Sequence, residues 1–254
     1  MSLTRLILRF AAPVPRVESF ERYLFIGPHP DDIEIGAGAT AARLAAMGKT
    51  VCFLICTDGR YGEGNVPERG DALAQLRQKE AIASAKLLGV SDVRFLGLSD
   101  GAFYTQEELL AGISKVIGDF KPDVLLAPDP CVPAEGHADH LRVGEAVRNL
   151  AVFAPHRGIM AKLGAASARV QAVAFFMTAR PNRFVGTRRY LKRQLDAIFT
   201  CHTSQFPEGD ETGKSIAMYL KLRALDFGIR SFTGCAEGFR VLGQLHMHCL
   251  PEAK

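Results

Sequence analysis

The sequence predicts an α/β protein with a Rossmann-like three-layer fold and a mostly parallel sheet. Short apolar runs of strand length alternate with longer segments of helical character from about residue 22 onward, a pattern typical of parallel strands covered by helices on both faces. The 254 residues are 48% hydrophobic, which is sufficient for one large core. We therefore expect a single domain over residues 21–254, preceded by an N-terminal arm over residues 1–20.

The elements of the first half of the chain have distinct boundaries. Leu24–Ile26 is the centre of the first strand, which Gly27 and Pro28 end. Thr105 and Glu108 have the spacing of a capping box and predict the start of a helix. Strands are predicted at 22–27, 50–57, 92–97 and 123–128, with helices from the acidic residues after the first strand to about Gly48, over 71–88, over 105–120 and from about Asp139.

In the helix predicted over 71–88, Glu80 lies on the apolar face, and we expect Arg77, three residues earlier, to be its ion-pair partner.

The second half of the chain is less regular. The later elements are predicted as a strand over Val170–Thr178, helices over 188–199 and 212–227, and a strand or a loop over 234–243.

The composition excludes several classes of protein. A net charge of +4 and a pI near 8.8 are too weakly basic for a nucleic-acid-binding surface and fit small anionic molecules better. No stretch approaches the roughly 20 apolar residues of a membrane-spanning helix, so we expect no membrane span. The six cysteines include no Cys-x-x-Cys pair, which favours reduced thiols and a cytoplasmic location.

The stretch YLFIGPHPDDIEIGAGAT carries three ionisable side chains between a strand and a helix: His29, Asp31 and Asp32. In open α/β sheets, ligands bind in the crevice at the carboxyl ends of the strands. One aspartate could instead cap the helix, but a single cap needs neither a histidine nor a second carboxylate. A dinucleotide-binding loop is a weaker interpretation, because the third glycine of its fingerprint is missing.

His137, Asp139 and His140 follow the fourth predicted strand in the same way. In the common doubly wound order, the first and fourth strands are neighbours at the switch point, so the two loops would face each other across one crevice. Two imidazoles and one carboxylate with an open fourth position form the ligand set of a catalytic zinc, and the same set can hold ferrous iron. The sequence therefore predicts a divalent-metal site.

PHPDD followed by IEIGAGAT, with His-x-Asp-His about a hundred residues later, resembles the LmbE/PIG-L family of zinc-dependent N-acetylglucosaminyl deacetylases. The motifs TDG, Arg-x-x-Glu, SDG, KPDVLLAPDP, HTSQF and AEGFR extend the resemblance from Tyr23 to about Gly243. The resemblance implies a metal-dependent hydrolase that removes the N-acetyl group from an N-acetylglucosamine-type small-molecule conjugate.

The resemblance also implies roles for individual residues. Asp31 would be the general base that activates a zinc-bound water. His137 would stabilise the oxyanion or protonate the leaving amine, and Asp139 would orient a histidine. The implied metal ligands are His29, Asp32 and His140.

By the same resemblance, Arg77 and Asp100 would face the sugar, and His202 of the HTSQF motif would line the site. Arg60 is a further candidate, for contact with an anionic aglycone. The sequence departs from some family members at Glu135, where they carry a tyrosine near the oxyanion. That part of the transition-state apparatus has no assigned residue.

Two other functions are open at this point. Gly97–Gly101 matches Gly-x-Ser-x-Gly, so Ser99 could be the nucleophile of an α/β-type serine hydrolase, although the next predicted helix starts later than a nucleophile elbow requires. A metal- or sugar-binding module without turnover is a second alternative, which the presence of both Asp31 and His137 opposes. Because related enzymes are often oligomers, we also expect a homo-oligomer, with residues 1–20 as a candidate contact.

Overall fold

The computed structural model describes residue 7, residues 10–62, residue 64 and residues 66–248. Parts of the predicted arm (residues 1–6, 8 and 9) and of the predicted domain (residues 63, 65 and 249–254) lie outside the described residues. The strands are β1 (Arg22–Gly27), β2 (Thr50–Thr57), β3 (Asp92–Leu98), β4 (Val124–Pro128), β5 (Ala172–Phe176), β6 (Arg183–Gly186) and β7 (Ala236–Gly243).

The helices alternate with the strands through the first half of the chain. They are α1 (Asp32–Ala46), α2 (Asp71–Leu88), α3 (Gln106–Phe120), α4 (Ala138–Phe153), α5 (Arg157–Lys162), α6 (Leu191–Asp196), α7 (Glu211–Ser231) and α8 (Gln244–Met247). A 3₁₀ turn, Val17–Ser19, precedes β1, and a π-helical segment, Ala197–Cys201, continues α6. Among the helices of the described part, none combines the length and the apolar character that crossing a membrane requires.

The seven strands form one sheet in the order β3-β2-β1-β4-β5-β7-β6. The strands β1 to β5 are parallel, whereas β7 is antiparallel to both β5 and β6. The predicted mostly parallel sheet is therefore confirmed. Because β1 pairs with β2 on one side and β4 on the other, the carboxyl ends of β1 and β4 meet at the switch point.

Alternate side chains of β1 point to opposite faces of the sheet and join two apolar layers. Phe25 belongs to the layer that contains Ile33 of α1 and Ala85 of α2. Leu24 and Ile26 belong to the other layer, which α3 and α4 cover. The sheet is thus buried between two helical layers, as the sequence predicts.

Helix α1 approaches the sheet closely and contains a break. A Cβ atom at Gly36 would lie 2.2 Å from an aromatic ring of β5, so only glycine fits there. Ala37 has φ −153° and ψ 17°, which interrupts the helical backbone. Glu237 of β7 accepts hydrogen bonds from the backbone N–H groups of Ala39 (3.2 Å) and Thr40 (2.6 Å), just after the break. β7 therefore supports α1 at its weakest point.

The second half of the chain differs most from the sequence prediction. The predicted strand over Val170–Thr178 is shorter (Ala172–Phe176), the helix over 188–199 is divided into α6 and the π-helical segment, and the segment 234–243 contains the strand β7 (Ala236–Gly243). Neither β6 nor α5 is predicted from the sequence, because elements of four and six residues are too short to show a periodic pattern.

Candidate active site

The candidate site lies where β1 and β4 end and where α1 and α4 begin. Asp32 is the first residue of α1, and His137 is the N-cap residue of α4. The ring centroids of His29 and His137 are 4.6 Å apart, and those of His29 and His140 are 5.4 Å apart. The pairing of β1 with β4 brings the two groups together although about a hundred residues separate them.

The ligand atoms of His29, Asp32 and His140 all lie within 4.8 Å of one another. Asp32 Oδ2 is 3.0 Å from His29 Nδ1, and Asp32 Oδ1 is 3.3 Å from His140 Nε2. An outer carboxylate engages the other nitrogen of each ring: Asp139 at 3.1 Å from His29 Nε2, and Glu135 at 3.0 Å from His140 Nδ1. Metal-binding histidines usually have such an outer partner, which fixes the tautomer. The residues present therefore fit a divalent metal ion.

Carboxylates dominate the electrostatics of this group. Burial lowers the pKa of His29, but hydrogen bonds with Asp139 and Asp32 outweigh it and raise the pKa to about 10. Burial also opposes the charge on His140, yet Asp32 raises the pKa of His140 to about 9. Burial favours the protonated form of Asp32, but His140 and His29 hold its pKa well below the usual value. The group stabilises positive charge, as a cation site must.

Asp139 is fully buried under the histidines. It accepts hydrogen bonds from His29 Nε2 and from the backbone N–H groups of Gly101 (2.8 Å) and Ala102 (2.9 Å). Burial raises the pKa of Asp139, but these bonds, led by that of His29, lower it to about 2. The histidine available for the predicted orienting role of Asp139 is therefore His29.

Glu135 contacts His140 of α4 and the backbone of His137, the N-cap residue of that helix. Its Oε2 is 3.0 Å from His140 Nδ1, and its Oε1 accepts a hydrogen bond of 2.7 Å from the backbone N–H of His137. Sequence reasoning left Glu135 without a function. The available signal was a carboxylate in the loop between the fourth strand and the histidine pair.

The imidazole of His137 faces the opening, with 49% of the side chain exposed. Its Nδ1 accepts a hydrogen bond of 3.3 Å from the backbone N–H of Asp139. Burial, and then the positive charges of His29 and His140, lower the pKa of His137. The neutral ring then carries its proton on Nε2, which can donate to a ligand.

Asp31 occupies a strained backbone position beside the candidate ligands. Its φ of 135° is rare for residues other than glycine and is typical of functional sites. Although Asp31 precedes α1, its side chain makes no capping hydrogen bond, so the helix-cap interpretation is wrong. Arg77 Nη2 lies 3.2 Å from Asp31 Oδ2. Burial raises the pKa of Asp31 to about 6, and Arg77 opposes that rise.

Arg77 and Glu80 have separate partners, so the predicted ion pair between them is wrong. Besides Asp31, the buried guanidinium of Arg77 donates to two backbone carbonyls near the ends of β1 and β2. Glu80 accepts hydrogen bonds from the backbone N–H (2.8 Å) and the hydroxyl (2.6 Å) of Ser204. Helix α2 thus directs Arg77 toward the candidate site and Glu80 toward the segment that follows the π-helical turn.

Two residues predicted to contact substrate lie on the β2–β3 side of the crevice. Asp100 is buried, and its carboxylate accepts the backbone N–H of Tyr61 at 3.2 Å. Arg60 is half-buried and forms ion pairs with Asp58 (2.6 Å) and Asp71 (3.0 Å). Both side chains are therefore already engaged by the protein.

His202 does not reach the surface of the crevice. It is 0% exposed, and its Nε2 lies 3.4 Å from Glu34. His202 therefore packs behind the crevice surface, and its predicted contact with substrate stays a prediction. A motif match does not distinguish a residue that lines a site from one that packs behind it.

The segment after β3 does not have the form of a nucleophile elbow. Ser99 is followed by non-helical backbone up to Thr105, and α3 begins only at Gln106. In an elbow, the helix begins directly after the serine. The structure therefore does not support the serine-hydrolase interpretation.

An α/β fold with a His–Asp–His candidate metal site at its switch point is typical of a metal-dependent hydrolase. A family model described as PIG-L, GlcNAc-PI de-N-acetylase, matches residues 24–151. The chain belongs to this family of de-N-acetylases, which confirms the resemblance found in the motifs.

Individual relatives agree with the family assignment. The diacetylchitobiose deacetylase of Thermococcus kodakarensis is 36% identical over 238 residues, covering 92% of this chain and 87% of the relative. The 1D-myo-inositol 2-acetamido-2-deoxy-alpha-D-glucopyranoside deacetylase of Kineococcus radiotolerans is 34% identical over 213 residues, or 72% of this chain and 58% of the relative. The N,N'-diacetylchitobiose deacetylase structure from Pyrococcus horikoshii matches with a TM-score of 0.86 and 31% identity, covering 98% of this chain and 93% of that one.

Proposed function

We propose that the protein removes the N-acetyl group from an N-acetylglucosamine-type small-molecule conjugate, with zinc as its metal. The observation that carries this proposal is the grouping of His29, Asp32 and His140 beside the strained Asp31. The names of the relatives, a diacetylchitobiose deacetylase and a glucosaminyl-inositol deacetylase, support the substrate class. The similarity to the relatives over most of the chain supports one catalytic domain over residues 21–254.

His29, Asp32 and His140 would hold the metal, with Asp139 and Glu135 fixing the two imidazole rings from behind. When bound, zinc lowers the pKa of a water from about 15.7 to about 7 and so supplies a nucleophile at neutral pH. Two histidines and a carboxylate also suit ferrous iron. The substrate assignment does not depend on which of the two ions is native.

Asp31 is the general base of the proposed reaction. Arg77 contacts Asp31 through Oδ2, which leaves Oδ1 to accept the proton of the attacking water. A pKa raised by burial to about 6 suits this function, because a base works best when its pKa is near the working pH.

His137 faces the reacting carbonyl group in this proposal. Because its Nδ1 accepts a backbone hydrogen bond, Nε2 carries the proton and donates to the carbonyl oxygen as negative charge develops. Removal of a single donor of this kind raises the activation barrier by about 3 to 4 kcal/mol. The same proton is available to the leaving amine.

On the substrate side, Arg60 is the proposed contact for an anionic aglycone. Asp100 and Arg77 act from beneath the surface: Asp100 fixes the backbone at Tyr61, and Arg77 fixes Asp31. Their effect on the sugar is therefore indirect in this proposal.

Acetate release from N,N'-diacetylchitobiose and other N-acetylglucosamine conjugates tests the function. We expect release by the metal-loaded protein, loss after chelation, and recovery when zinc or ferrous iron is returned. Activity that resists complete removal of metal would contradict the proposal. Bound metal without acetate release from any conjugate would support the alternative of a non-catalytic binding module.

We also propose that two copies associate through α7. Its apolar side chains opposite the buried face are exposed and recur at spacings of four and three residues, the pattern of a helix-pairing seam. In a parallel pair, Lys221 of one copy would lie opposite Asp226 of the other. The seam consists of Met218, Leu222, Leu225 and Ile229, and the exposed Phe232, the left-handed residue that follows α7, adjoins it.

Light scattering of the wild type and of Leu222→Glu tests the association. We expect the variant to be monomeric and the exposed Ile82→Glu on α2 to behave as the wild type. A monomeric wild type would contradict the proposal.

A cytoplasmic location is proposed as well, supported by the absence of disulfides among the described cysteines, which include Cys52 and Cys56.

A further inference from the structure

Two exposed aromatic rings pack against each other on the β2–β3 side of the crevice. Tyr61 is 58% exposed and Phe103 is 73% exposed. Their ring centroids are 5.8 Å apart with an interplanar angle of 79°. The two residues come from different segments, one after β2 and one after β3. We call this pair, Tyr61 and Phe103, the aromatic platform.

Buried carboxylates hold both segments of the platform. Asp100 accepts the backbone N–H of Tyr61 itself. Asp139 accepts the backbone N–H groups of Gly101 and Ala102, the two residues before Phe103. Hydrogen bonds to a buried charge are among the stronger ones in proteins, so the backbone under each ring is fixed.

The segment that carries Phe103 also contains a strained residue. Ala102 has φ 62°, a conformation that persists outside glycine only where the surroundings impose it. Arg142 of α4 donates hydrogen bonds to the carbonyls of Ala102 (3.0 Å) and Tyr104 (3.1 Å). As a result, Tyr104 is buried and Phe103 is directed into solvent.

The platform is connected to the candidate metal centre through one side chain. The same Asp139 oxygen that lies 3.1 Å from His29 Nε2 accepts the N–H of Gly101 at 2.8 Å. One carboxylate therefore sets the position of a candidate ligand and of the segment leading to Phe103. The backbone of the segment that carries Phe103 is thus connected, through Asp139, to a residue proposed to hold the metal.

We propose that the aromatic platform binds the ring of the aglycone, a hydroxylated six-membered ring linked to the N-acetylglucosamine unit. This inference rests on the proposed deacetylase function and names its second binding subsite. The C–H face of such a ring is apolar and packs on aromatic surfaces, while its hydroxyl groups stay in water. The platform thus favours conjugates over free N-acetylglucosamine.

The experiment compares acetate release from N,N'-diacetylchitobiose and from N-acetylglucosamine by the zinc-loaded protein. In Phe103→Ala and Tyr61→Ala, we expect kcat/KM for the disaccharide relative to the monosaccharide to fall about tenfold, mainly through KM. Phe103→Tyr should retain the preference of the wild type. Phe10→Ala, which removes a comparably exposed ring (79%) from the N-terminal region, is the matched control.

Each outcome is informative. An unchanged preference in both alanine variants would overturn the platform and leave the deacetylase function intact. An equal loss for both substrates would also overturn it, because it would indicate a purely structural effect of the rings. A metal-loaded wild type that releases acetate from neither sugar, nor from any other N-acetylglucosamine conjugate, would instead overturn the proposed function, and the platform with it.

Discussion

The two sides of the crevice are built differently. On the β1–β4 side, His29, Asp32 and His140 are turned inward, and each ring nitrogen of the two histidines meets a carboxylate. On the β2–β3 side, Tyr61 and Phe103 are turned outward, and the carboxylates of Asp100 and Asp139 bind the backbone of the segments that carry them. The interior therefore fixes the groups proposed to react, whereas the substrate side has exposed side chains that can change without disturbing the core.

The largest expected effect is on the β1–β4 side. Asp31→Asn keeps the size of the side chain but removes the base, so we expect kcat for acetate release to fall about 10²- to 10⁴-fold. Because Asp31 is not a proposed ligand, the zinc content measured after dialysis should equal that of the wild type. Loss of zinc from this variant would indicate that Asp31 is itself a metal ligand, which would contradict its assignment as a base that does not bind the metal.

Arg77 distinguishes the two sides most directly, because it was predicted to contact sugar but lies against Asp31. If it positions the base, Arg77→Ala lowers kcat about 10- to 100-fold with little change in KM, and Arg77→Lys recovers part of the loss. A rise in KM at constant kcat would show that Arg77 binds substrate after all. Steady-state kinetics on one conjugate measures both values.

A smaller effect is expected at Glu135. Removing a carboxylate that orients a metal-binding histidine typically lowers metal affinity about 10- to 100-fold, so Glu135→Gln should bind zinc more weakly in a competition titration with a chelator. His140→Ala should lose the metal altogether. Unchanged affinity in Glu135→Gln would limit Glu135 to its hydrogen bond with the backbone of His137.

The smallest effect is expected at Arg60, on the exposed side. Arg60→Ala should raise KM a few-fold for a conjugate with an anionic aglycone and leave KM for the neutral N,N'-diacetylchitobiose unchanged, because the ion pairs of Arg60 with Asp58 and Asp71 are partly exposed and contribute little. A large loss of kcat would place Arg60 with the reacting groups.

The sequence predicted the β1–β4 side well for a physical reason. Metal ligands and a base must be particular residue types, and parallel strands bring their carboxyl ends to one edge. His29 and His140 could therefore be grouped from their positions after two strands, before any contact was known. The order of the strands confirmed the basis of that grouping.

The substrate side could not be predicted in the same way. Whether Arg77 or His202 faces a ligand or the interior depends on the rotation of a helix and the course of a loop, which a motif does not encode. The segment that carries the exposed Phe103 is held by hydrogen bonds from its backbone to Asp139 and from Arg142 to its backbone, two residues of a distant helix. Such contacts between distant segments leave no periodic signal in the sequence.

The contact between Glu237 and the break in α1 makes the stability of the fold depend on pH. Burial raises the pKa of Glu237 to about 7 even though the backbone N–H groups of Thr40 and Ala39 oppose the rise. The folded chain therefore retains this proton at pH values where the unfolded chain has released it, and the contribution of Glu237 to the free energy of unfolding decreases between about pH 4.5 and pH 7. Thermal melts of wild type and Glu237→Gln should show a smaller decrease over that interval in the variant. A storage buffer slightly below neutral pH would thus protect the helix that begins at the candidate active site.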